Sequence, residues 1–98
     1  MMRTVYFSDL RAAGRVLLAC SASVRQAKCK ELLQQADIAD RVTRNTGKLH
    51  PKWGNGTLYD AAVRQGVALE PSLDDPDYAL CLEIVLRQLR QRPRGTYL

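Results

Sequence analysis

Apolar residues recur along much of the chain at spacings of three and four, the pattern of helices that bury one face. The first predicted helix spans about residues 9–20, with Ser8 or Asp9 as its N-cap. Its apolar positions are Leu10, Ala13, Val16, Leu17 and Cys20. Gly14 lies inside this helix, where the missing side chain is expected to let another helix approach closely.

A longer apolar stripe predicts a second helix, which begins after Ser21 or Ser23 and ends near Asn45. Its apolar positions are Val24, Ala27 or Cys29, Leu32, Leu33, Ala36, Ala39 and Val42. Gly47 is the expected left-handed stop just beyond its end.

The second helix also contains acidic and basic residues four positions apart. The pairs Asp37–Arg41 and Asp40–Arg44 have the acid-before-base order that favours ion pairs on a helix surface. A catalytic carboxylate pair is the alternative for the two aspartates. The ion pairs are the simpler interpretation, because each aspartate has its own arginine.

The glycine-rich residues 46–57 predict a loop, after which Thr57 caps a short helix over residues 58–65. The last helix begins at the N-cap Asp75 and ends at Pro93. Its apolar positions are Leu80, Cys81, Leu82, Ile84, Val85, Leu86 and Leu89. A helix apolar over more than half its circumference is either central in a bundle or buried against a partner. In the second case, Leu80 and Ile84 are the predicted interface residues.

These elements predict an all-α fold, a compact bundle of three main helices plus one short helix, in a single domain over residues 1–98. The chain has 98 residues and is 46% hydrophobic, as expected for one globular domain. No apolar run approaches the roughly 20 residues that span a bilayer, and no secretory signal is present, so we expect a cytoplasmic protein without membrane contact.

Cysteine and histidine usage argues against metal and cofactor sites. The three cysteines are odd in number and lack a CxxC pair, so we expect neither a disulfide framework nor a zinc site. His50 is the only histidine, and the Asp74, Asp75 and Asp77 cluster lacks calcium-loop spacing. The sequence therefore predicts no metal and no cofactor.

Residues 41–58 are the candidate functional segment, because they combine cations, the only tryptophan and a Gly-Asn-Gly turn before a helix. The candidates are Asp40, Arg41, Arg44, His50, Lys52, Trp53, Gly54, Asn55, Gly56 and Thr57. Such a turn can present free amides to an anion, so a phosphate could bind near Asn55–Thr57 beside Lys52 or His50. The alternative is a connecting loop in which the glycines take left-handed angles and Trp53 closes the core.

The run HPKWGNGTL, residues 50–58, and the later Asp75–Tyr78 stretch DPDY carry a resemblance. Residues 36–62, which include this run, and the later stretch resemble a signature of short uncharacterised proteins from alphaproteobacteria. The motif of that signature is H-P-x-W-G-N-G-[ST]-L. The resemblance covers most of the chain and implies no activity. It implies that one set of residues forms a unit: Asp37, Asp40, Arg41, His50, Pro51, Trp53, Gly54, Asn55 and Gly56.

Three functions fit these patterns. We find no catalytic constellation and do not expect an enzyme, so a protein-interaction module or small homodimer ranks first. Nucleic-acid binding ranks second, because the net charge of +5 comes entirely from the first fifty residues, with nine Lys/Arg against four Asp/Glu. A small-anion sensor or enzyme built on residues 46–57 ranks third.

Overall fold

The first helix of the bundle packs against all the others in the computed structural model, which describes residues 2–92. The elements are α1 (Phe7–Leu18), a 3-10 turn (Ala22–Val24), α2 (Arg25–Thr46), α3 (Leu58–Val63) and α4 (Pro76–Gln91). Residues 2–92 contain no strand, so the predicted all-α bundle of three main helices and one short helix is confirmed. The predicted stop at Pro93 lies outside the described residues.

Small and aliphatic side chains form the core between the helices. Its buried members are Ala12, Ala13, Val16, Leu17, Cys29, Leu32, Leu33, Ala36, Leu58, Ala61, Ala62, Cys81 and Val85. Gly14 allows α1 and α4 to meet closely, because a Cβ atom there would lie 2.7 Å from Cδ2 of Leu82 and 3.3 Å from Cε1 of Tyr78. The close approach predicted at this glycine is confirmed.

The capping predictions for the later helices are confirmed. The Thr57 side chain accepts a hydrogen bond from the amide of Asp60, and Asp75 accepts one from Tyr78. Gly47 ends α2 with a φ of +71°. These signals succeed because a cap needs only residues within one turn of the helix end.

The start of α1 differs from its prediction. The helix begins at Phe7 with Tyr6 as N-cap, so the N-cap position predicted at Ser8 or Asp9 is wrong. Asp9, the third residue of the helix, still accepts an amide at the helix start, that of Tyr6 at 2.8 Å, and also that of Tyr59 at 2.8 Å. One buried carboxylate thus joins the starts of α1 and α3.

One of the two ion pairs predicted on α2 is present. Asp40 contacts Arg44 at 2.8 Å; the arginine side chain is 59% exposed, but the carboxylate is buried, with its side chain only 2% exposed. Asp37 instead pairs with Arg92 after the end of α4, and its Oδ1 accepts from the Met2 amide at 2.5 Å. The predicted Asp37–Arg41 pair is therefore wrong, because Arg92 and Met2 contact the Asp37 carboxylate.

Arg11, Glu70 and Tyr78 form a hydrogen-bonded triad. Arg11 contacts Glu70 through Nε at 2.7 Å, and the Tyr78 hydroxyl donates to Glu70 at 2.8 Å. The hydrogen bond from Arg11, followed by that from Tyr78, lowers the pKa of Glu70 to about 2.

We expect Glu70→Gln to remove part of the acid sensitivity. A carboxylate whose pKa is lowered by folding stabilises the fold above its unfolded pKa, and this stabilisation disappears as the pH falls through the folded pKa. Urea midpoints of the wild type should therefore fall between about pH 5 and pH 2, and those of the variant should fall less. Parallel curves for the two proteins would contradict this role of Glu70.

Candidate functional site

The HPKWGNGT loop is organised around the imidazole of His50. His50 and Gly54 exchange two backbone hydrogen bonds of 2.8 and 3.0 Å. His50 Nδ1 accepts from the amides of Lys52 at 3.0 Å and Trp53 at 3.1 Å, and its ring stacks on Trp53 with centroids 4.5 Å apart. Trp53, half-buried, packs against the core.

The following residues carry the loop into α3. Asn55 Oδ1 accepts from the amide of Thr57 at 2.9 Å and from its hydroxyl at 2.8 Å. The Asn55 amide donates to Asp60 at 2.9 Å. The amides of Asn55 and Thr57, which an anion at this turn would use, thus already donate to side chains. Anion binding beside Lys52 and His50 stays a prediction.

Gly56 fastens the loop onto α2. Its φ is +97°, and a Cβ atom there would lie 2.5 Å from the Asp40 Cα. Its carbonyl accepts from the Arg3 amide at 3.0 Å. The N-terminal segment, the loop and α2 therefore meet at one glycine.

A polar cleft of about 770 Å³ opens beside this junction. Its lining comes from the N-terminal segment, the start of α1, the second half of α2 and the loop before α3. The lining residues are Met2, Arg3, Thr4, Tyr6, Ser8, Asp9, Asp40, Arg44, Asn55, Thr57 and Tyr59. The cleft therefore combines two arginines, two buried carboxylates and several hydroxyl groups.

An apolar groove of about 410 Å³ lies next to the cleft and shares Tyr6 with it. The groove is lined by Val5, Tyr6, Phe7, Leu10, Leu86 and Leu89. Phe7 is 81% exposed, although it is a large apolar side chain. Every one of these six lining residues is uncharged.

Comparison with known proteins places the chain in a family. A family model described as a domain of unknown function (DUF7742) matches residues 3–89. The chain belongs to this family. No curated protein and no solved structure matches it. The match covers most of the chain and spans both the cleft and the groove, but its description supplies no activity.

In this DUF7742 domain, four of the predicted loop-site residues line the polar cleft: Asp40, Arg44, Asn55 and Thr57. Gly54 and Gly56 are buried in the loop that supports it. Arg41, His50, Lys52 and Trp53 are outside the lining.

Sequence reasoning missed the contribution of the N-terminal segment, Arg3 and Tyr6 above all. No local signal predicts it, because it depends on contacts with residues about 40 to 55 positions away.

The predicted interface residues of α4 lie apart from the groove. Leu80 is 48% exposed, whereas Ile84 is half-buried and packs against the core. Leu80 and Leu86 are six positions apart, which puts them on different faces of the helix. An interface at Leu80 and Ile84 stays a prediction.

Cys29 and Cys81 are buried. Burial raises the pKa of Cys29 to about 11 and also raises that of Cys81, so both thiols are protonated at neutral pH. Within residues 2–92, no group of three or more His, Cys, Asp or Glu is placed to hold a metal ion. Over the same residues, no helix has the length and apolar character needed to cross a membrane.

Proposed function

We propose that this DUF7742 domain is a protein-interaction module that forms a homodimer through the apolar groove. The observation that carries the proposal is Phe7, 81% exposed at the edge of a groove made of uncharged residues. Exposed apolar patches on small soluble domains commonly mark interaction sites, and aromatic side chains dominate binding energies there.

A second copy of the chain is the proposed occupant of this surface. Each copy offers both a concave apolar groove and an exposed phenylalanine in its lining, so a two-fold axis would place each Phe7 ring against the other groove. The residues that line the groove are uncharged, so burying them in a dimer carries no desolvation penalty for a charged lining group.

Ion pairing makes nucleic-acid binding the less favoured alternative. Five of the nine basic residues in the first fifty contact carboxylates within 4 Å: Arg3, Arg11, Arg25, Lys28 and Arg44. A nucleic-acid backbone needs many unpaired cations at once, and this pairing leaves fewer of them, which weakens the electrostatic drive for nucleic-acid binding.

We expect Leu86→Glu and Phe7→Glu to abolish self-association. Each variant places a charge in the groove, and burying an unpaired charge in an interface is strongly unfavourable. Sedimentation equilibrium of the wild type from about 5 to about 500 μM should show a monomer–dimer equilibrium, and both variants should remain monomers.

Leu69→Glu is the matched control, because Leu69 is 90% exposed and lies outside the groove lining. Leu80→Glu tests the sequence-predicted interface separately. A monomeric wild type over this range would overturn the proposal. So would a dimer that Leu80→Glu dissociates and Leu86→Glu leaves intact.

A further inference from the structure

We infer that the polar cleft between the N-terminal segment, α1 and α2 binds the phosphate group of a small phosphate monoester, with Arg3 and Arg44 as its ligands. The cleft shares Tyr6 with the proposed dimer groove, but its two arginines lie outside the groove and the inference does not depend on the dimer.

Two guanidinium groups converge on one carboxylate in this cleft. Asp40 lies 2.8 Å from Arg44 Nη2 and 3.8 Å from Arg3 Nε. The arginine side chains are 59% and 52% exposed, whereas the Asp40 side chain is 2% exposed. The buried carboxylate holds both arginines at the cleft, and their exposed N–H groups can receive an anion. Guanidinium groups match phosphate oxygens in a two-pronged geometry.

The remaining carboxylate of the cleft does not cancel this positive charge. Both oxygens of Asp9 accept backbone amides, those of Tyr6 and Tyr59, at the starts of α1 and α3. The partial positive charge of these helix starts compensates the aspartate locally. Both aspartates of the lining are buried, so its exposed charged groups are the two arginines, and an entering ligand meets cations.

Asp40 holds Arg44 by an ion pair without an aligned hydrogen bond. Its buried Oδ2 atom lies 2.8 Å from Arg44 Nη2 and accepts no hydrogen bond. Arg44 can therefore turn towards a phosphate without breaking a hydrogen bond to Asp40.

The size and lining of the cleft indicate a ligand larger than phosphate alone. About 770 Å³ is within the range of sites for small metabolites. The rings of Tyr6 and Tyr59 and the hydroxyls of Ser8 and Thr57 line the remaining space. Phosphate esters carry both a charged group for the arginines and a polar or aromatic remainder for these walls.

The test is a titration of the ¹⁵N-labelled full chain with inorganic phosphate, ribose 5-phosphate and adenosine monophosphate, followed by amide chemical shifts. We expect saturable shifts at Tyr6, Asn55 and Tyr59, with the esters binding more tightly than inorganic phosphate. Arg44→Gln and Arg3→Gln should each raise Kd roughly tenfold, because each removes a charge-assisted hydrogen bond. Lys52→Gln is the control, since Lys52 is a loop cation outside the cleft lining.

The outcomes of this titration distinguish binding at the cleft from binding at the loop. No saturable shift with any of the three probes at about 10 mM, a concentration that detects even millimolar affinity, overturns the inference. Loss of binding in Lys52→Gln but not in Arg3→Gln also overturns it and locates the anion at the loop. Should Arg44→Gln fail to fold, Arg3→Gln decides alone, since its Nε lies 3.8 Å from Asp40 and the closer Arg44 contact remains. Equal binding of all three probes supports the phosphate contact and limits recognition to that group.

Discussion

Gly56→Ala is expected to destabilise the domain by about 3 kcal/mol or more. The new Cβ atom would lie 2.5 Å from the Cα and 2.6 Å from the Cβ of Asp40. Helix backbone cannot move aside as a flexible side chain does, so the loop must separate from α2. The φ of +97° adds a penalty of its own for any residue with a side chain.

Gly47→Ala is the matched control for this prediction. Gly47 also has a positive φ, +71°, but nothing lies within 4 Å of the added Cβ atom. It should therefore cost only the backbone penalty, about 1 kcal/mol. Urea unfolding of both variants, followed by circular dichroism, measures the difference. Equal losses of stability would show that the contact between loop and helix does not exist in solution.

Arg25→Met is expected to lower the free energy of unfolding by about 2–3 kcal/mol. Arg25 is buried and its Nε donates to the Leu17 carbonyl at 2.9 Å. Its two terminal nitrogens contact both oxygens of Asp77, at 2.7 and 3.1 Å. The side chain thus joins the end of α1 to the start of α4. Methionine keeps much of the apolar stem but leaves the carbonyl without this donor.

Exposed arginines of α4 supply the control for Arg25. Arg87→Met should change stability by less than about 0.5 kcal/mol, because surface substitutions away from such contacts rarely do more. Asp77→Asn should lie between the two, since Arg25 would still bond the Leu17 carbonyl. Thermal and urea unfolding of the three variants measure this order. Arg25→Met and Arg87→Met with the same stability would contradict the bridging role.

The parts of the fold that follow from the sequence are those with local causes. Thr57, Asp75 and Gly47 act within one turn of a helix end, and their roles were predicted correctly. The burial of Asp40 could not be predicted, because helical spacing alone cannot reveal that the loop at Gly56 covers that side of α2.

The candidate site was predictable only in part for the same reason. Asn55 and Thr57 belong to a recognisable turn, and both reach the cleft. Arg3 reaches the cleft because the N-terminal segment bonds to the Gly56 carbonyl, a contact between residues 53 positions apart. Phe7 is the first residue of α1 and is 81% exposed, which its apolar character alone does not predict.

The most direct test of the proposed function is an isotope-filtered NOE experiment on an equimolar mixture of labelled and unlabelled chains. The homodimer predicts intermolecular NOEs between the Phe7 ring of one copy and the Leu86 and Leu89 methyl groups of the other. Concentrated samples that show these contacts only within one chain, or intermolecular NOEs confined to Leu80 and Ile84, would contradict it.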